Sequence, residues 1–144
     1  MLEQVRIRKL ILRHLCPPPA VAYDLGGGTG VHSFWLAGLG YTVRLVDIVP
    51  LHIEQARLAT EVAQSSRLAS LRVGDARKLE FEDWSADAVL LFGPLYHLTE
   101  RDDRLQALAE ARRVLLPCGR LFAYAISRYA STMYGLVQRA GMGR

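Results

Sequence analysis

Cysteine is nearly absent from this 144-residue chain: Cys16 and Cys118 stand far apart, with no CxxC spacing and no histidine-rich neighbour. That pattern excludes a disulfide framework and a cysteine–histidine metal site, so no metal is expected and both thiols are expected as reduced, buried small hydrophobes. Long apolar runs are missing too, and nothing approaches the roughly 20 residues that cross a bilayer. Leu10-Ile11-Leu12 is cut short by Arg13 and His14, too brief for a secretory segment, and Glu3 argues against a transit peptide. The chain therefore reads as cytoplasmic, without a membrane partner. Repeats, linkers and low-complexity tracts are absent, and the length suits one domain with one core.

Charge of one sign is in modest excess, +4 overall, and the cations are overwhelmingly arginine. Arg6, Arg8, Arg13, Arg112 and Arg113 recur at helical spacing, the last two near acids such as Glu100, Asp102, Asp103 and Glu110. This is the pattern of solvated helix faces. Without interleaved aromatics it is a weak footprint for nucleic acid, which is not expected as a partner.

Glycine, by contrast, is concentrated. The run Val21-Ala22-Tyr23-Asp24-Leu25 feeds Gly26-Gly27-Gly28-Thr29-Gly30, and a second apolar run ends at Asp47. Each glycine costs about 0.5–1 kcal/mol of extra entropy unless the backbone requires it, so a bare tight turn is disfavoured. Asp47 lies 19 residues after Gly28 (47 − 28), close to the roughly 20 that separate a glycine turn from a ribose-binding carboxylate. A dinucleotide turn would need a third glycine at position 31, where Val31 stands, and Asp24 would repel a pyrophosphate. Both features disfavour a nicotinamide-dependent oxidoreductase. A cationic adenosine-type ligand suits them better, and S-adenosylmethionine carries a sulfonium and an ammonium.

Hydrophobic periodicity divides the rest. An amphipathic helix ends at Pro17-Pro18-Pro19, giving a leading unit over 1–19. Strands are expected at 21–24, 41–47, 69–73, 86–92 and 120–126. Helices are expected at 31–39, from Leu51 to near Ser65-Ser66 with Leu51, Ile53, Ala56, Leu58 and Val62 marking it, after an N-cap at Thr99, and at 129–140. The third of these carries Leu105, Leu108, Val114 and Leu115 inward and stops at Pro117-Cys118-Gly119. This alternation predicts a doubly wound, mainly parallel α/β sheet over 20–127, followed by a C-terminal helix within 128–144. Gly26 to Gly30, Asp47, Gly74-Asp75-Ala76 and Phe92-Gly93-Pro94 all fall at carboxyl ends of strands, where such sheets bind ligands.

DLGGGTG, LVDIVPLHIEQAR, VGDARKL, DAVLLFGPLYHL and EARRVLLPCGRLF together resemble class I S-adenosylmethionine-dependent methyltransferases, in the style of the ubiquinone and menaquinone C-methyltransferases of the small-molecule branch. The resemblance implies a Rossmann-like sheet of order 3-2-1-4-5. It implies S-adenosylmethionine as cofactor and a small-molecule methyl acceptor. Asp24 would then face the methionyl ammonium, with Gly26, Gly27 and Gly28 against the methionine and ribose. Asp47 would accept the ribose hydroxyls, Ile48 would pack on the adenine, and Asp75 and Ala76 would bond its edge. Phe92 and Gly93 would border the methionyl chain. Tyr96 or His97 would position the acceptor or take its proton; His14 and His52 are less well placed. Phe92-Gly93-Pro94-Leu95-Tyr96 is not the Asp/Asn-Pro-Pro-Tyr/Phe motif of enzymes that methylate planar nitrogens, which disfavours DNA bases and glutamine as acceptors.

The chain departs from that pattern in two places. Cys118 stands where a glycine is usual, a strained choice if the position needs positive φ. The family's last two strands are not expected before Arg144, so strand five becomes an edge that a second copy would cover as a homodimer. The alternative function is a non-catalytic cofactor-binding or interaction module.

Overall fold

The computed structural model describes residues 2–62, 67–127 and 129. Its elements are α1 (Leu2–His14), β1 (Val21–Leu25), α2 (Val31–Gly38), β2 (Thr42–Asp47), α3 (Pro50–Val62), β3 (Ser70–Val73), β4 (Ala86–Leu91), α4 (Pro94–His97), α5 (Arg101–Val114) and β5 (Leu115–Ala123). The five strands form one sheet of order β3-β2-β1-β4-β5, and every pairing is parallel. The order reverses between β1 and β4, so their carboxyl ends diverge into a crevice. Among the described residues, no helix is long and apolar enough to cross a membrane.

Strand residues alternate faces, which splits the core in two. Ala22, Val43, Leu45, Ala88 and Leu90 face α1, α2 and α3, meeting Ile11, Leu15, Leu36, Ile53 and Ala56. Tyr23, Leu25, Val46, Val89 and Leu91 face the other way, against Ala107, Ala111 and Val114 of α5 and against Ala76, Leu79 and Phe81. Small alanines on α5 let that helix sit close to the sheet. Leu105, expected inward, is instead exposed, as are Leu51, Leu58 and Val62 of α3; in both helices a narrower stripe suffices to close the core.

Several boundaries differ from those the sequence suggests. Glu100, in extended conformation, is the N-cap of α5 rather than Thr99, and no side chain caps it; Arg104 Nη1 donates to the Leu98 and Thr99 carbonyls nearby. α5 stops at Val114, and β5 begins at once at Leu115. Leu115 pairs with Ala86 and Arg120 with Ala88, so Asp87 faces the whole of Leu116, Pro117, Cys118 and Gly119 in a wide bulge. The proline thus sits inside a strand, where the bulge spares the ladder its missing N–H. A Cβ at Gly119 would lie 2.9 Å from the Leu116 carbonyl oxygen, and Cys118 has φ 67°. Both thiols are free and exposed rather than buried. The helix expected at 129–140 lies outside the described residues but for Tyr129.

Arg113 is not a solvated cation. Its guanidinium donates to the Leu79 and Phe81 carbonyls, to Asp83 and to both Glu110 oxygens, while the Leu79 N–H donates to Glu110 Oε2. One side chain thereby fastens the segment between β3 and β4 onto α5.

Candidate functional site

Four loops meet at the carboxyl ends of β1, β2, β3 and β4 around a cavity of about 530 Å³, a size usual for small-ligand sites. Gly26 and Gly28 line it from β1, Asp47, Ile48, Val49 and His52 from β2 and α3, Gly74, Asp75 and Ala76 from β3, and Gly93, Pro94, Tyr96, His97 and Leu98 from β4 and α4. Among the described residues, no three histidine, cysteine, aspartate or glutamate side chains gather as a metal site would need.

The glycine turn is shaped by close approach. Gly26, Gly28 and Gly30 all have positive φ, at 68°, 58° and 85°. A Cβ at Gly93 would lie 2.7 Å from the Gly26 carbonyl oxygen, and one at Gly26 would lie 2.6 Å from Pro94. At Gly28 nothing comes within 4 Å of a Cβ, so its bare backbone borders open space. An extended ligand can lie directly against that main chain.

Asp47 is 6% exposed and ends β2. Its Oδ2 accepts from the Gly28 N–H at 2.8 Å, and its Oδ1 accepts from the Val49 N–H at 2.9 Å and meets His52 Nδ1 at 3.0 Å. The carboxylate is thereby tied to the glycine turn and to the first turn of α3. His52 gets there because helical Cα–Cβ bonds tilt toward the N-terminus, aiming first-turn side chains back at the strand end. A lone histidine in an amphipathic pattern gave no sign of this; its placement five residues past the strand-end acid was the available clue.

Asp24 does not line the cavity. It is 1% exposed, lies under Gly27, whose Cβ would come 2.5 Å from its carboxyl, and accepts a 2.7 Å hydrogen bond from Ser33 Oγ. Its Oδ1 has no partner among the described residues. Burial pushes its pKa up to about 6, with the nearby Asp47 charge adding and the Ser33 bond opposing. Gly27 and Phe92 are likewise behind the lining; the Phe92 ring meets His32 edge-on at 5.2 Å. His32 is held below the usual imidazole range by burial first and by Arg8 second.

The Asp75 carboxylate turns to its own loop. Arg77 donates to it from its backbone N–H, Nε and Nη2, the last at 2.6 Å, and bonds Asp103 on α5 at 2.8 Å. These hydrogen bonds hold Asp75 below the ordinary carboxylate range. Ile48 is 60% exposed over the cavity, a large apolar side chain with little cover. Tyr96 and His97 stand on α4, a helix too short for periodicity to reveal, started by Pro94 at its first position. Their rings are 4.6 Å apart.

Comparison with known proteins adds the following. The methyltransferase domain family matches residues 23–123. The ubiquinone/menaquinone biosynthesis C-methyltransferase UbiE of Acidiphilium cryptum is 37% identical over 112 residues, covering 77% of this chain and 44% of that protein. The malonyl-[acyl-carrier protein] O-methyltransferase of Methylococcus capsulatus is 39% identical over 115 residues, covering 76% and 38%. The crystal structure of the PH0226 protein from Pyrococcus horikoshii superposes with a TM-score of 0.77 at 29% identity, covering 96% of this chain and 61% of that one. The chain spans less than half the length of these two curated relatives.

Proposed function

Because the chain belongs to the class I S-adenosylmethionine-dependent methyltransferases, we propose that its cavity binds that cofactor and that the domain, in the cytoplasm, directs methyl transfer to a small-molecule acceptor. The observation that carries this reading is the meeting of the Gly28 main chain, the Asp47 carboxylate and the Asp75-Ala76 turn around one cavity. An adenosine needs those three things: a surface its ribose can touch, an acceptor for its diol, and polar groups at the edge of its base.

The residues fit the cofactor by their donor and acceptor chemistry. Asp47 accepts the ribose hydroxyls, Gly26 and Gly28 lie against ribose and methionine, and Ile48 covers the adenine. The Ala76 N–H bonds the base edge, and Asp75, its carboxylate held by Arg77, fixes the turn that presents that N–H. Asp24 acts from beneath the turn, its negative charge favouring a cationic ligand above. Gly93 bounds the methionyl end, with Phe92 packed behind it.

The cofactor supplies a methyl group on a sulfonium, whose departure leaves a neutral thioether. The protein's task is then alignment and exclusion of water. Tyr96 and His97 share the cavity with the cofactor residues and orient the acceptor, with His97 available to take its proton. The two curated relatives, a C-methyltransferase of ubiquinone/menaquinone biosynthesis and an O-methyltransferase, support carbon or oxygen as the acceptor atom.

The test is calorimetric titration of the chain with S-adenosylmethionine and S-adenosylhomocysteine beside Asp47→Ala. Micromolar binding, about −8 kcal/mol, that vanishes in the variant supports the reading. Absence of binding by folded protein overturns it.

A further inference from the structure

We propose that His52 gates the ribose subsite: without cofactor its ring holds the Asp47 oxygen that a ribose hydroxyl needs, and binding requires the ring to let go. The inference rests on the reading of the cavity as an S-adenosylmethionine site. An ionised carboxylate offers about four acceptor positions. Among the described residues three are used at Asp47, by the Gly28 N–H on Oδ2 and by the Val49 N–H and His52 Nδ1 on Oδ1. A ribose diol brings two hydroxyls that each need an acceptor, and only one position is free. One existing bond must therefore break.

Which bond breaks follows from what each donor is attached to. The Gly28 N–H belongs to a main-chain turn closed by the Gly30 N–H on the Gly27 carbonyl at 3.0 Å. Val49 belongs to the start of α3, where its carbonyl accepts from the His52 N–H at 3.1 Å. Moving either amide would disrupt a turn. The His52 ring hangs on two rotatable bonds with its side chain 40% exposed, and it lines the same cavity. It is the donor that leaves with least disturbance. Ligands lacking the ribose hydroxyls have no need to displace it, so the contact opposes only diol-bearing ligands.

The experiment titrates the full chain, His52→Leu and His52→Gln with S-adenosylhomocysteine and with its 2′,3′-dideoxy analogue, and follows the imidazole nitrogens of His52 by long-range proton–nitrogen NMR. Removing the competing hydrogen bond in His52→Leu should tighten S-adenosylhomocysteine about three- to tenfold and leave the analogue unchanged. His52→Gln, whose amide donates to the same oxygen, should stay within about twofold of the parent. The Nδ1 resonance should move with S-adenosylhomocysteine and not with the analogue. Weaker binding in His52→Leu, or equal effects on the two ligands, overturns the gate while leaving the cofactor site standing. Failure of the parent chain to bind S-adenosylhomocysteine overturns the cofactor reading and the gate with it.

Discussion

Ser33 Oγ donates a hydrogen bond to Asp24 Oδ2 at 2.7 Å, and both residues are sealed from solvent. The Asp24 pKa is raised, from 3.8 to about 6, by burial first, so the folded chain holds this proton more tightly than the unfolded one. The resulting stability is complete below pH 3.8 and is lost as pH rises through about 6. Asp75 and Glu110 are shifted the other way by Arg77 and Arg113, and their contributions fade only as pH falls below the usual carboxylate range. His32, its pKa lowered by burial, adds a contribution that rises with pH over the same range, so the Asp24 effect is read as the difference between the parent and Asp24→Asn. Denaturation of the two ligand-free chains should show the parent losing about 1–3 kcal/mol relative to the variant between pH 4.5 and 7.5. A difference that stays constant or shifts in the parent's favour would refute the assignment.

A cation above the glycine turn favours ionised Asp24, so S-adenosylmethionine binding near pH 6 should release a fraction of a proton. Titration in two buffers of different ionisation enthalpy measures it directly. The release should exceed that seen with S-adenosylhomocysteine, which lacks the sulfonium charge, and should disappear in Asp24→Asn.

Gly93 and Gly28 should fail differently when replaced by alanine. At Gly93 the new methyl would meet the Gly26 carbonyl oxygen at 2.7 Å, a main-chain clash expected to destabilise by about 1–3 kcal/mol. At Gly28 there is open space but φ is 58°, so backbone strain of about 1–2 kcal/mol is the whole structural cost. That methyl borders the cavity, and cofactor affinity should fall beyond what the loss of stability explains. Paired melting curves and titrations separate the two effects.

Cys118 offers a stabilising change. It holds φ 67° and its thiol is exposed and unbonded. Cys118→Gly should relieve about 1 kcal/mol of left-handed strain, less the entropy glycine adds to the unfolded chain. The melting temperature should rise by a few degrees; a fall would mean that the bulge depends on the side chain.

What could be read in advance follows a physical division. The glycine turn and Asp47 were legible because their spacing is set by one crossover helix, and the strand order followed from the resemblance once those motifs were placed. α4 was not legible, since four residues carry no period and Gly93-Pro94 looks like any loop. The start of β5 was misplaced because Pro117-Cys118-Gly119 has the composition of a helix stop, whereas β5 runs through it as a bulge. Arg113 and His52 were misjudged for one reason: each takes its meaning from partners outside its own helix, carbonyls some 30 residues away for Arg113 and the strand-end carboxylate for His52. Asp24 is expected from the resemblance to face the methionyl ammonium, but the glycine turn folds over it and buries it.

The fastening of the β3–β4 segment has a consequence for how the molecule breathes. Arg113 grips that segment's carbonyls and Arg77 reaches Asp103, so the loop presenting Asp75 and Ala76 is anchored to α5, a helix that lends no residue to the cavity. In hydrogen exchange its amides should open together with those of α5 and not with the short strand that precedes them. The base-recognising end of the cleft and the back of the sheet would then form one cooperative unit, and a distant loosening of α5 would register as a change at the ligand.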